Sequence, residues 1–247
     1  MKEVLMLRRI FPYFLSKHPF CRHTATNQDA TRPTQSELSH MARERNAIDV
    51  SEWQGRINWE RVSRSGIHYT YIRACVGSSY VDDQFRRNYR EAHRHGLHTG
   101  FYHYVTARSV EQARRQARFF ARTIAPYHYD LRPVLDFESF GRLNKEEINR
   151  ISLTYLRELE HYTHHRPAIY SDSNNAVNTF TDRQLTRYPL WVAAYGVQRP
   201  ETGNWGSYSM WQYADDGRIP GIRDDSVDLD HYRRGLLIRR QSGRREI

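Results

Sequence analysis

Up to residue 171 the chain alternates between β-type and helical runs, and after that point the helical runs nearly vanish. No other feature narrows the choice of fold as far. Ala47–Val50 reads as a strand, and Ile57–Ser65 as a short helix with Trp59 and Val62 inward. His68–Ala74 is a second strand, followed by a helix across Asp82–His95 that Gly96 stops. Thr99–Val105 is a third strand, and Ser109–Ile124 a third helix with Ala113, Ala117 and Phe120 at helical spacing. Residues 131–138 form the fourth strand. Asn144 caps a long amphipathic helix to about His164, with Ile148, Ile151, Tyr155, Leu156 and Leu159 on its apolar face. Arg166–Ser171 is the fifth strand. Leu190–Ala194, Tyr208–Tyr213 and Val227–His231 are strand-like, joined by loops rich in Gly, Pro, Asn and Asp, with short helices near 173–178 and 182–187. Five strand–helix units followed by three bare strands predict a single-domain α/β barrel over 47–232 whose last third lacks outer helices. Its size suits that, since such barrels often run to about 200–250 residues undivided.

The fourth strand carries Leu131-Arg-Pro-Val-Leu-Asp136-Phe-Glu138. Side chains alternate across a strand, so Asp136 and Glu138 share one face while Leu135 and Phe137 take the other. Adjacent buried carboxylates repel, which raises one pKa and leaves the other group ionised. Glycoside hydrolysis uses such a split: a protonated acid for the leaving oxygen and an anion for the positive charge developing on the sugar. Active groups of α/β barrels sit at the C-terminal ends of strands. Asp49, Asp136, Glu138 and Asp228 are all expected at such ends, converging on one mouth.

The net charge of +10 is unevenly placed. Residues 1–46 carry eight Lys/Arg against four acids, and 233–247 six Arg against one, leaving 24 basic and 23 acidic groups for 47–232. The basicity lies in the tails, so a specific nucleic-acid groove is not expected, whereas the tails would attract anionic polymers such as those of a cell wall. The composition predicts a flexible N-terminal extension over 1–46, a barrel over 47–232 and a basic tail over 233–247. Two cysteines, Cys21 and Cys75, make neither a disulfide framework nor a zinc site. No run approaches the ~20 apolar residues of a membrane span, and Arg8 and Arg9 interrupt the only candidate signal segment. Met41, just before the first strand, is a candidate translation start.

The ordered motifs go further. Asp49-Val-Ser-x-Trp-Gln-Gly-x-Ile-x-Trp59 is followed by Tyr71-Ile-Arg-Ala, Gly100-Phe-Tyr-His-Tyr104 and Pro133-Val-Leu-Asp-Phe-Glu138. Then come Ile169-Tyr170-Ser, Leu190-Trp-Val-Ala-x-Tyr195, Met210-Trp-Gln-Tyr213, Gly217-x-Ile-Pro-Gly221 and Val227-Asp-Leu-Asp230. In order and spacing they resemble glycoside hydrolase family 25, the N-acetylmuramidase lysozymes, over residues 47–232. The resemblance implies an irregular TIM-like (β/α)5(β)3 barrel and cleavage of the β-1,4 bond between N-acetylmuramic acid and N-acetylglucosamine in peptidoglycan. It implies Glu138 as proton donor and Asp136 as its partner, either as nucleophile or as the group that orients the substrate's 2-acetamido. Asp49 and Asp228 match two further acids at the base of the groove. For Glu138 to stay protonated it should be the more desolvated or more anion-crowded acid, leaving the others ionised.

Tyr102, Tyr170, Trp191, Tyr195 and Trp211 are candidate sugar contacts, with core packing an equal role for the two tryptophans. The resemblance implies a retaining reaction, no cofactor or metal, and a monomer that meets peptidoglycan at the cell wall after secretion or phage release. One departure stands out. Where the family's second strand usually ends Ala-Thr-Glu-Gly, this chain has Ala74-Cys75-Val76-Gly77. The lost acid leaves a non-hydrolytic peptidoglycan-binding module as the alternative reading. His93, His95 and His98, and His161, His164 and His165, fall on helix surfaces or turns rather than at the mouth. His103 beside Tyr102 either bonds a site acid or packs as a satisfied histidine.

Overall fold

The computed structural model describes residues 45–223 and 226–238. The expectations for most of 1–46, Met41 included, and for 239–247 lie outside the described residues. The strands are β1 (Arg45–Val50), β2 (Tyr69–Val76), β3 (Tyr80–Val81), β4 (His98–Tyr104), β5 (Val134–Asp136), β6 (Ala168–Asp172), β7 (Leu190–Ala193), β8 (Met210–Gly217) and β9 (Val227–Tyr232). The α-helices are α1 (Trp59–Ser63), α2 (Phe85–Arg94), α3 (Val110–Ile124), α4 (Lys145–Thr163) and α5 (Ser173–Asn178). Neighbour to neighbour the sheet runs β1-β9-β8-β7-β6-β5-β4-β2, and a β1–β2 pairing closes it into an eight-stranded barrel. The fold is the expected irregular TIM-like α/β barrel. The two-residue β3 adds a hairpin to the end of β2.

Strand direction corrects one expectation. β1, β2 and β4 to β8 are parallel around the barrel, but β9 is antiparallel to both β1 and β8. Asp228 therefore lies at the start of its strand, not at a C-terminal end. Reversal brings that start to the mouth, where Asp228 pairs in register with Asp49.

Local sequence explains the helices. Asn58, Ser109, Asn144 and Asp172 each cap a helix through the side chain, with Asn144 and Glu147 forming a reciprocal capping box. α4 buries Ile148, Ile151, Tyr155, Leu156 and Leu159 as its periodicity predicts, each contributing about 1.5–3 kcal/mol of apolar transfer. The shell between strands and helices takes Ile48, Ile72, Phe101, Leu135 and Val192, while alternate positions fill the barrel. Inside, Tyr69 stacks on Tyr232 at 4.2 Å and Tyr71 on Trp191 at 4.9 Å. Gly100 makes room for this: a Cβ there would meet Tyr71 at 2.5 Å and Leu131 at 2.7 Å. At the floor Arg132 N donates to Leu236 O, and Ile238 N to Asp130 O, both at 2.8 Å. Leu131 and Leu236 are fully buried there. Residues 233–238 thus complete the barrel rather than beginning a tail, and β1 starts at Arg45, two residues earlier than expected.

Candidate active site

The ladder of β5 ends at Asp136, so Glu138 lies two residues past the strand. Alternation nevertheless persists. Phe137 turns outward to meet Phe140 at 5.0 Å, and Val105 N anchors the Asp136 carbonyl at 2.7 Å. Asp136 and Glu138 consequently face the same way, and each perturbs the other's titration. Asp136 Oδ1 is buried and receives no hydrogen bond from the described protein donors.

Three more acids stand on inward positions of the closing strands. Asp49 is 6% exposed and accepts from Gln212 Nε2 at 2.7 Å. Asp228 stands opposite Asp49 across the β1–β9 ladder, and Asp230, 1% exposed, accepts from Trp191 Nε1 at 2.7 Å. Burial is the first cause raising the pKa of every member of this group. Asp230 pushes Asp49 up further, Glu138 does so for Asp136, Asp49 for Asp228, and Asp228 for Asp230. Glu138 is pushed up to about 7 by burial, pulled down by Asp136 and pushed up by Asp172. This differs from the sequence expectation. Asp136, not Glu138, is the deeper and more anion-crowded of the pair, and the surrounding acids cannot all be ionised together.

The candidate sugar contacts separate. Tyr195 is 45% exposed at the rim, and Tyr102 is half-buried at the mouth with Asp49 and Asp136 bearing on its hydroxyl. Tyr170 is buried, and its hydroxyl donates to Gln212 Oε1 at 2.9 Å, as the Tyr195 hydroxyl does at 2.6 Å. Trp191 is a packed interior side chain that meets Tyr71, Tyr102 and Tyr170 edge or face. Trp211 lies outside the barrel: Met210 and Gln212 take the inward positions of β8, so Trp211 packs outward against His231 and donates to Ala194 O. His103 is a packed histidine, with Nδ1 2.7 Å from the Tyr155 hydroxyl and Nε2 2.8 Å from Gly77 O.

Sequence reading missed Gln212, which joins two tyrosines to Asp49, and Arg73. Arg73 points into the barrel and is 4% exposed. Its Nε donates to Asp82 at 2.9 Å and its Nη2 to Glu52 at 3.0 Å. The Tyr80 hydroxyl also donates to Glu52. The period-2 pattern of β2 and β8 was the available signal for both. Cys75 is buried in the outer shell with its thiol pKa raised by burial, and Val76 is 5% exposed. Although the second strand lacks its acid, Glu52 brings one to Tyr80, the residue paired with Val76 across the hairpin. Among the described residues no His, Cys, Asp or Glu group is arranged to hold a metal ion, and no helix is long and apolar enough to cross a membrane.

The model of the glycosyl hydrolases family 25 matches residues 48–222. YegX of Escherichia coli O157:H7 is 34% identical over 192 residues, covering 74% of this chain and 67% of the relative. The autolytic lysozyme of Clostridium acetobutylicum is 32% identical over 199 residues, covering 77% of this chain and 56% of its own length. The chain thus spans between about half and two thirds of these relatives. The crystal structure of the bacterial lysozyme from Streptomyces coelicolor superposes with a TM-score of 0.66 at 27% identity, covering 76% of this chain and 91% of that one. With the acids gathered at the mouth of a matching barrel, the chain belongs to the family 25 glycosyl hydrolases, as a domain of the lysozyme type.

Proposed function

We propose that this chain is a peptidoglycan hydrolase that cleaves the β-1,4 bond between N-acetylmuramic acid and N-acetylglucosamine. The observation that carries the reading is the Asp136–Glu138 carboxyl pair on one face at the barrel mouth, with Glu138 raised to about 7. Half-buried Glu138 reaches the groove more readily than Asp136, which is 6% exposed. Glu138 therefore delivers the proton to the leaving glycosidic oxygen. As that bond breaks, positive charge builds at the sugar's anomeric carbon, and the anionic partner stabilises it. Asp136 acts either as nucleophile or as the group that orients and charges the substrate's own 2-acetamido, with Glu138 then taking a proton from the attacking water. Asp49, held by Gln212, and Asp228 form the acidic groove floor, while Tyr102 and Tyr195 offer ring edges and hydroxyls to the sugar. Trp191 and Tyr170 act from behind, by holding Asp230 and Gln212 in place. Peptidoglycan strands at the cell wall are the partner in this reading, and the basic ends would add affinity for anionic wall polymers.

Mass spectrometry of digested peptidoglycan tests the bond cut: a reducing muramic end is expected. Glu138→Gln should lower muropeptide release at least a hundredfold, in line with the usual contribution of a general acid. Wild-type activity should fall as pH rises through about 7, where Glu138 loses its proton. Wall binding without release by wild type would instead identify a binding module.

A further inference from the structure

Glu138 stands where the barrel no longer holds the chain. The ladder of β5 stops at Asp136 and α4 begins at Lys145, so the side chain rides on the connection 137–144. Asp49, Asp228 and Asp230, by contrast, lie within strand ladders. Before Glu138, Val105 N fixes the Asp136 carbonyl at 2.7 Å, and Phe137 is buried against Phe140. After it, the next residue is held from outside the segment. Arg108 Nη1 donates to Ser139 O at 2.7 Å, and its Nη2 donates to Ser139 Oγ at 3.0 Å. Two contacts to one residue use the planar fork of a guanidinium, which fixes direction as well as distance.

Arg108 is itself braced. It lies in the loop 105–109 that follows β4, and Nη1 also donates to Thr106 O and Ala107 O at 3.1 Å each. Its backbone N–H donates to Gln112 Oε1 at 2.6 Å. Gln116, 4% exposed, accepts from Thr106 N at 3.0 Å and donates to Thr106 Oγ1 at 3.2 Å. Gln112 and Gln116 stand on the first turns of α3, whose start is capped by Ser109. The guanidinium lies against Gly141, where a Cβ would come within 3.0 Å of Nε and a φ of +62° favours glycine. The acceptors it meets are three carbonyls and a hydroxyl, so it supplies geometry rather than an ion pair.

We infer that Arg108 is a positioning residue, which carries the rigidity of α3 across to Ser139 and so fixes the direction in which Glu138 leaves the end of β5. The staple does for Glu138 what ladder bonds do for the acids of β1 and β9. The inference rests on Glu138 being the proton donor, but the fixing of its segment is measurable without turnover.

The experiment compares wild type with Arg108→Ala, Arg108→Lys and Ser139→Ala by kcat and KM on solubilised peptidoglycan strands, by amide hydrogen exchange over 137–143 and by the urea midpoint. A misplacement of about 1 Å at a reacting group costs up to about a hundredfold. Arg108→Ala should therefore lower kcat about ten- to a hundredfold while KM stays within about twofold. Exchange should rise over 137–143 and not over 145–163, with the urea midpoint in place. Arg108→Lys should recover little, because one ammonium cannot reproduce the fork on Ser139. Ser139→Ala keeps the carbonyl contact and should lose less than Arg108→Ala. In a Glu138→Gln background Arg108→Ala should cost almost nothing more, since there is no donor left to aim. A loss of equal size in that background, or wild-type kcat in Arg108→Ala, would overturn the inference. If wild type releases no muropeptides, the functional reading fails; exchange that still rises over 137–143 in Arg108→Ala upholds the staple, and unchanged exchange overturns it. Should Arg108→Ala not fold, the same cycle run with Ser139→Ala and Glu138→Gln decides the matter.

Discussion

Replacing Gln212 with leucine removes the side chain that ties three walls of the barrel mouth together while keeping nearly the same volume. Gln212 is 3% exposed, donates to Asp49 at 2.7 Å and accepts from Tyr170 and Tyr195 at 2.9 and 2.6 Å. In the leucine variant Asp49 and the Tyr170 hydroxyl stay buried without these partners, at about 1–3 kcal/mol each. The Tyr195 hydroxyl adds little, because a side chain 45% exposed can turn to water. Gln212→Leu should therefore lose about 2–6 kcal/mol, a large share of the roughly 5–15 kcal/mol typical of a domain. Urea unfolding followed by circular dichroism measures this, with an unchanged m-value showing that only stability has moved. Gln212→Glu supplies the control. It keeps both acceptor contacts but sets a carboxyl against Asp49, so the introduced acid has its folded pKa raised. The stability it contributes is present at low pH and lost as pH rises through that pKa, and the variant should recover toward wild type in acid. If Gln212→Leu melts within about 0.5 kcal/mol of wild type and Gln212→Glu shows no added pH slope, hydrogen bonding at the mouth does not hold the acids as described.

Gly100→Ala should cost about 1–3 kcal/mol by overpacking, since the new methyl meets the Tyr71 ring and Leu131 Cβ inside van der Waals contact; a thermal melt that leaves Tm unmoved would show that the interior yields freely. His103 is buried and neutral with its pKa lowered to about 3, so an unfolded chain binds a proton there that the folded one refuses below about 6.5. The stability this contributes is present above about 6.5 and fades as pH falls, by roughly 2–3 kcal/mol at pH 4.5. Urea midpoints measured between pH 7 and 4.5 should decline less steeply for His103→Gln than for wild type, and parallel curves would count against the assignment. The raised carboxyls at the mouth slope the opposite way, so the measured quantity is the difference between the two proteins.

The barrel itself was legible because its signals are local. Capping residues such as Asn144, the helical spacing of Ile148 to Leu159, and the alternation around Asp136 each act within a few neighbours. Strand direction is not encoded so locally: Val227-Asp-Leu-Asp230 reads the same either way, which is why Asp228 was placed at the wrong end of its strand though at the right mouth. Trp211 misled because it neighbours Gln212 in the motif, and adjacent strand positions face opposite sides. Arg73 was hidden differently. In Tyr69-Thr-Tyr-Ile-Arg-Ala it looks like one polar residue in an apolar run, and the acids that justify its burial lie 21 positions before it and nine after. Protonation order was the least legible feature, because it depends on the charges of half a dozen elements at once.

The seam between β1 and β9 joins residues 45–49 to residues 228–232. While the ribosome is still adding the segment from 227 onward, the first strand can hydrogen-bond only with β2, and β8 presents its far side to whatever is nearby. A nascent or clipped chain lacking that last hairpin arm therefore carries two bare strand edges, the kind that recruit other chains. The same stretch delivers Asp228 and Asp230, so the cylinder seals and the acid cluster becomes complete in a single late event.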